Sequence, residues 1–445
     1  MDSTMWMIGT LVISILLIIV SIIKFKFHPF LALLLASFFV GISMQMNPLE
    51  MVNAIENGIG GTLGFLAAII GLGTILGKMM EISGAAEQIG VTLQKSRWLT
   101  PDVTMVLIGL ICGITLFVEV GVVLLIPLAF SIAKRTNTSL LKLAIPLCTA
   151  LMAVHCIVPP HPAALFVTNE LGADIGTVIV AGLAVGLVAS LVGGPLFLKF
   201  LGDRLPFKTV PEAFSDLEVR EEKDLPSLVA TLFTVLLPIA LMLIKTAADL
   251  NMSKDSQLFT LLQFIGNPIT AMFIAAFVAY YMLGIRRNMG MSVLLSKTEE
   301  SFSSIANILL IIGAGGAFNG ILKGSGLSDS LAMVLSGIDM HPILLAWLVA
   351  IILHAAVGSA TVAMMGATAI VAPLMPMYPH ISPEIMTLAI GSGAIGCTIV
   401  TDSLFWLVKQ YCNATLAETF RFYSVATLIA SFVALAGTFA LSFVI

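Results

Sequence analysis

Four short stretches of this sequence carry residues able to do chemistry in surroundings that ought to exclude it. "CTIVTDSLFW", residues 397 to 406, sets Asp402 between Thr401 and Ser403 inside an apolar run. "CGITLFVEVG", residues 112 to 121, does the same with Glu119. A carboxylate in hydrocarbon costs roughly several kcal/mol unless it is paired, protonated or wetted, so chains seldom keep one without a use. The competing structural reading of Asp402 is an ion pair with Lys409, two helical turns along the same face. "HCIVPPHPAALF", residues 155 to 166, places Pro159, Pro160 and Pro162 around His161. Three missing backbone donors within four positions break a helix and leave carbonyls that protein, water or a ligand must satisfy. "HAAVGSATVAMMG", residues 354 to 366, contributes Gly358, Ser359 and Thr361, small polar groups that also suit close helix packing. His161 could relay a proton, whereas His155 and His354 read as core histidines.

These residues need elements to hold them, and composition says which. The chain is 445 residues long, 59% hydrophobic and 10% charged, with a mean hydropathy of +1.08. Apolar runs long enough to cross about 30 Å of hydrocarbon recur from end to end, so the expectation is an all-α polytopic membrane protein. The first run, "WMIGTLVISILLIIVSIIKFKF", has its basic residues after it and no small-residue cleavage site, and reads as a retained span. The five cysteines (112, 148, 156, 397 and 412) show no CxxC spacing, which fits buried free thiols and no metal site. A nucleotide-binding signature is missing too, and nothing suggests a cofactor or a nucleic-acid partner.

The charged, Pro-rich stretch 202 to 227 separates two halves that resemble each other. "HPFLALLLASFFVG" from 28 matches "NPITAMFIAAFVAY" from 267, an offset of 239; "IIGLGTILGKMMEISG" from 69 matches "IIGAGGAFNGILKGSG" from 311, an offset of 242. "LAIPLCTALMAVHCIV" from 143 falls opposite "LAIGSGAIGCTIVTDS" from 388, an offset of 245. This is an internal duplication, 1 to 201 and 228 to 445, joined by a cytoplasmic linker. Equivalent loops carry opposite basic character: "MNPLEMVNAIENG" has no Lys or Arg, and its counterpart "GIRRNMGMSVLLSKT" has three. Inverted topology follows from the positive-inside rule. Residues 103 to 133 and 342 to 373 are too long for one span and too short for two, so each is expected to be a re-entrant helical hairpin. Five spans plus one hairpin per half put both termini outside and leave only Lys245, Lys254 and Lys323 among the 21 basic residues on that side. Inverted repeats of this kind hold substrate near the midplane between discontinuous helices.

Three stretches, "GLICGITLFVEVGVVLLIPLAFSIAK", "HCIVPPHPAALF" and "IGSGAIGCTIVTDSLFWLVKQY", resemble the gluconate:proton symporter (gluconate permease) family, and the resemblance runs through the whole chain. It implies a secondary active importer of the bacterial inner membrane. "ILHAAVGSATVAMMGATAIVAP" resembles most closely the members that carry D-serine, which implies D-serine and protons as the transported partners; a gluconate-type sugar acid is the alternative. Sodium coupling through the carbonyls of "VPPHP", homo-oligomer formation and, from another class, an intramembrane enzyme built on Asp402, Glu119 and a histidine stay open at this level. For a zwitterion with a hydroxyl, Asp402 or Glu119 could face the ammonium, hairpin helix ends the carboxylate, and Ser359, Thr361, Thr401 or Ser403 the hydroxyl. Either carboxylate could bind the proton.

Overall fold

Helix after helix in this chain begins with a proline in its first turn, among them those at Pro29, Pro48, Pro101, Pro162 and Pro342. The missing N–H is one that no helix start can use, so proline there sets the entry angle without cost. Asn47, Ser382 and Asp402 add side-chain caps, and Gly84, Gly172 and Gly358 end helices in the left-handed conformation. The computed structural model describes residues 3–96, 98–211, 222–327 and 340–445. Met1 and Asp2, Arg97, residues 212–221 of the charged linker and the 328–339 stretch lie outside the described residues.

Among the described residues the chain is helical, with no strand. The halves follow a similar order, with Ala85–Gln94 in the first and Gln257–Ile265 in the second standing outside the match among the described residues. The first has Ser3–Ile23, Pro29–Ser43 and the 36-residue Pro48–Ser83. The short Ala85–Gln94 helix, the paired helices Pro101–Gly113 and Val118–Thr136, and the interrupted pair Leu140–Ile157 and Pro162–Leu171 follow, before Ile175–Leu191. The second has Leu228–Asn251, Pro268–Ala279 and the 34-residue Met291–Gly324. It continues with the paired Pro342–Val357 and Ala360–Val371, the interrupted Pro383–Ile395 and Ser403–Tyr411, and Val425–Leu441. Among the described residues, eight helices are long and apolar enough to cross a membrane and four shorter apolar ones accompany them. Phe233, Phe273, Phe277 and Phe432 are all exposed on the outer surface, as a hydrocarbon solvent allows.

The elements sort into two bundles. Pro48–Ser83 packs on Met291–Gly324 and Pro268–Ala279, with Pro29–Ser43 and Leu228–Asn251 alongside. The paired and interrupted helices form the other, in which Leu140–Ile157 and Pro383–Ile395 are the innermost elements. Every residue of the former except Lys142 is buried, as is 385–395 of the latter. The two longest helices approach almost backbone to backbone. A Cβ on Gly58 would stand 2.4 Å from the Gly316 carbonyl oxygen, and one on Gly320 would stand 2.7 Å from that of Ala54. Small residues allow this approach, and dispersion then replaces the missing hydrophobic drive. Glu170, on the restarted helix of the first half, spans the bundles by accepting from Asn319, with Thr62 Oγ1 3.5 Å away and Lys323 Nζ 3.8 Å away.

Candidate functional site

The two helix interruptions and the turns of the two paired-helix units come together in the second bundle. Backbone geometry sets the first contact. Pro342–Val357 ends at Gly358 with φ +73°, and a Cβ there would lie 2.2 Å from the Thr401 carbonyl oxygen. Only glycine permits both the left-handed turn and that approach. Ser359 then caps the next helix by accepting from Val362 N at 3.4 Å.

The interruption facing it spans 396 to 402. Asp402 closes it as the N-cap of Ser403–Tyr411, its Oδ1 accepting from Leu404 N at 2.7 Å. Its Oδ2 lies 2.9 Å from His354 Nε2, and His354 Nδ1 lies 2.5 Å from the Gly396 carbonyl oxygen. A carbonyl oxygen only accepts, so Nδ1 carries a hydrogen and the tautomer is set. Asp402 is 5% exposed and His354 0%. The partner of Asp402 is therefore His354 across the bundle, not Lys409 on its own helix.

Glu119 occupies the first turn of Val118–Thr136 and is accessible, as are Thr401 and Ser403. Ser403 Oγ donates to Glu119 Oε1 at 3.2 Å, and Thr401 Oγ1 donates to the Ala355 carbonyl at 3.3 Å. Glu119 is also within electrostatic reach of Asp402. One carboxylate is thus open and one occluded, on either side of the Asp402–Ser403 peptide.

The proline-rich interruption lies behind this face. Residues 158–162 are all buried. His161 Nε2 donates to the Gly113 carbonyl at the end of the first paired helix, and the His155 and His161 rings stand 5.0 Å apart. His155 Nε2 meets Thr361 Oγ1 at 3.4 Å, while Nδ1 of both histidines has no partner among the described residues. A cavity of about 20 Å³, near the least that holds one water, is lined by Thr74, Thr115, Pro160 and His161. A larger one of about 580 Å³ runs from Lys78, Glu81 and Glu300 to the turn at Thr115–Phe117. No metal-binding cluster occurs among the described residues.

So all ten residues singled out in the sequence lie on these four stretches, with two distinctions. Glu119, Thr401 and Ser403 reach the accessible face, whereas Pro159, Pro160 and His161 form its buried backing. His354 is the residue that sequence reasoning set aside. The repeat held the signal: Gly113 and His161, which touch, are 48 residues apart, as are His354 and Asp402. The second pair sits 241 positions after the first, from 113 to 354 and from 161 to 402; His161 and Asp402 each stand at the N-cap of the restarted helix of their half, an equivalence that the 245 offset of the match from 143 misses by four residues.

A membrane-spanning helical body with ionisable groups in its interior and interrupted helices is the architecture of a solute transporter. The family model described as GntP family permease matches residues 6–444, and the chain belongs to that family. It is 78% identical over all 445 residues to the D-serine transporter DsdX of Escherichia coli O6:H1, covering the full length of both. It is 40% identical to the gluconate permease of Pseudomonas aeruginosa, over 97% of each chain. Among solved structures, the YdaH transporter of Alcanivorax borkumensis superposes with a TM-score of 0.67 at 17% identity, over 94% of this chain and 98% of that one. That likeness speaks for the fold.

Proposed function

We propose that the chain imports D-serine by proton symport across the bacterial inner membrane. The observation that carries the substrate is the difference in likeness: 78% identity to a D-serine transporter over the entire chain against 40% to a gluconate permease. The accessible face suits a small zwitterion. Glu119 pairs with the ammonium, the N-terminal turn begun at Gly358 and Ser359 receives the carboxylate, and Ser403 and Thr401 hold the hydroxyl. Thr361, Pro159, Pro160 and His161 shape the wall behind. A buried carboxylate carries the proton.

The topology that serves this is two inverted repeats, 1–201 and 228–445, around the cytoplasmic 202–227 linker, with both termini periplasmic and the paired helices near 103–133 and 342–373 entering from opposite faces. Supporting it are the similar order of elements in the two halves and the basic residues of the loops.

Uptake of labelled D-serine into proteoliposomes under an imposed pH gradient tests the reading. Uphill uptake that collapses with a protonophore and persists when choline replaces sodium is the expected result. Uptake of gluconate and not D-serine would overturn the substrate, and uptake that needs sodium would overturn the coupling ion.

A further inference from the structure

We infer that the transported proton resides between His354 and Asp402, shared by the two side chains as one unit, and that Glu119 is left to the substrate. This rests on the symport reading above. With Nδ1–H directed at the Gly396 carbonyl, Nε2 faces Asp402 Oδ2 at 2.9 Å, and a hydrogen bond between two acceptors needs one proton. It has two resting places, on Asp402 against a neutral imidazole or on Nε2 against the carboxylate. Either way the unit has no net charge. Without the proton a lone pair faces a carboxylate, the unit carries one negative charge, and nothing holds the contact closed.

The contact ties Pro342–Val357 to the interruption before Ser403–Tyr411, so protonation decides whether those two elements stay joined. Its other end reaches the substrate in one residue. Asp402 caps the helix through Leu404 N, and the adjacent Ser403 bonds Glu119. Release of Asp402 therefore moves the hydroxyl that shares Glu119 with the substrate.

The groups facing the pair have other work or cannot compete. Glu119 faces it from Val118–Thr136 and is accessible, where an ammonium can neutralise it. Cys156 and Tyr423 face Asp402 from Leu140–Ile157 and from the π-helical segment Thr419–Ser424, and both are neutral at physiological pH. His155 faces His354, bonds Thr361 through Nε2 and meets no carboxylate among the described residues with which to share a proton. His161 is spent on Gly113. Of the groups facing one another here, only His354 and Asp402 supply both ends of a proton position.

The test compares wild type, Asp402→Asn and His354→Gln, each reconstituted and checked for monodispersity. In Asp402→Asn the side-chain oxygen keeps the cap and the amide donates to neutral His354, reproducing the protonated unit without a removable proton. Two readouts separate the roles: exchange of labelled D-serine at symmetrical pH, and the current evoked by a D-serine jump on a supported membrane. Both variants should still exchange, at a reduced rate. The evoked current should fall roughly tenfold or more. A variant that keeps its current overturns the assignment and passes the proton to Glu119. Loss of exchange along with current in both folded variants overturns it as well, since the pair would then serve substrate passage. Wild type that neither exchanges D-serine nor answers it with current would instead sink the substrate reading.

Discussion

Gly358 shows how much one missing side chain decides. A methyl there must accept φ +73°, which costs about 1–2 kcal/mol for an ordinary L-residue, and must displace the Thr401 carbonyl 2.2 Å away, with overpacking adding about 1–3 kcal/mol. Gly358→Ala should lower the thermal midpoint of the purified protein and abolish uptake, read by melting in detergent and by transport in vesicles. Glu119→Gln should leave the melting unchanged, because the residue is accessible and its partner Ser403 can still donate to an amide oxygen. Removing a charge-assisted hydrogen bond worth about 1.5–3 kcal/mol should raise the D-serine KM roughly tenfold or more. Glu119 and Asp402 were legible in the sequence because carboxylates are costly in apolar runs. His354 was not, because a histidine in such a run says nothing of what its ring meets across the bundle, and the sequence spacing that pairs it with Asp402 has meaning only once the halves are aligned.

At the scale of elements, prolines set several helix starts: "HPF", "NPL", "NPI" and "HPI" each open a helix at the proline. The close crossing of the two longest helices was not legible in the sequence. Gly71, Gly73, Gly313 and Gly315, which the repeat match picks out, meet only side-chain atoms at 3.0 Å or more; the backbone contact falls instead at Gly58, Gly316 and Gly320, because the crossing point depends on how two helices lie. Gly316→Val should separate those helices and cut the amount of folded protein in the membrane, measured by detergent-resistant fluorescence of a fused reporter. Gly71→Ala, whose added methyl would meet the Phe302 ring at an ordinary 3.9 Å, should not. A charged cluster joins the same two helices at one end: Lys78 donates to Glu81 and Glu300, and Lys297 donates to Glu300. Hydrogen bonds from Lys297, then from Lys78, hold the exposed Glu300 carboxyl at about 2, below its ordinary 4.5. A depressed carboxyl contributes above its ordinary value and loses that contribution as pH falls through about 2. The cluster is therefore intact throughout the range in which transport would be measured, and Glu300→Gln should leave the pH midpoint of uptake in place.

For the whole molecule, the helical class and family were legible because hydropathy and long motifs survive without knowledge of contacts. The division into two bundles was not, because it unites elements far apart in the chain. The proposed orientation can be checked with single cysteines introduced into a cysteine-free background, since Cys112, Cys148, Cys156 and Cys412 are buried and Cys397 is partly so. A membrane-impermeant maleimide should label Lys254→Cys in intact spheroplasts and Lys95→Cys only after permeabilisation; the opposite pattern would invert the topology.

The matched contacts 113–161 and 354–402 bear on how such a chain diverged. Read as descendants of one duplicated segment, the halves kept a junction at the same two positions but filled it differently, with a glycine carbonyl and an imidazole in one and an imidazole and a carboxylate in the other. The first half cannot simply copy the second: a Cβ on Gly113 would already lie 3.3 Å from Leu151 and 3.4 Å from Val154, leaving no room for a ring. On that reading the two joints differ in that only the second sets an imidazole against a carboxylate. On the proposed assignment, a lineage of such chains could change its cargo by altering the accessible face while the His354–Asp402 joint stays as it is.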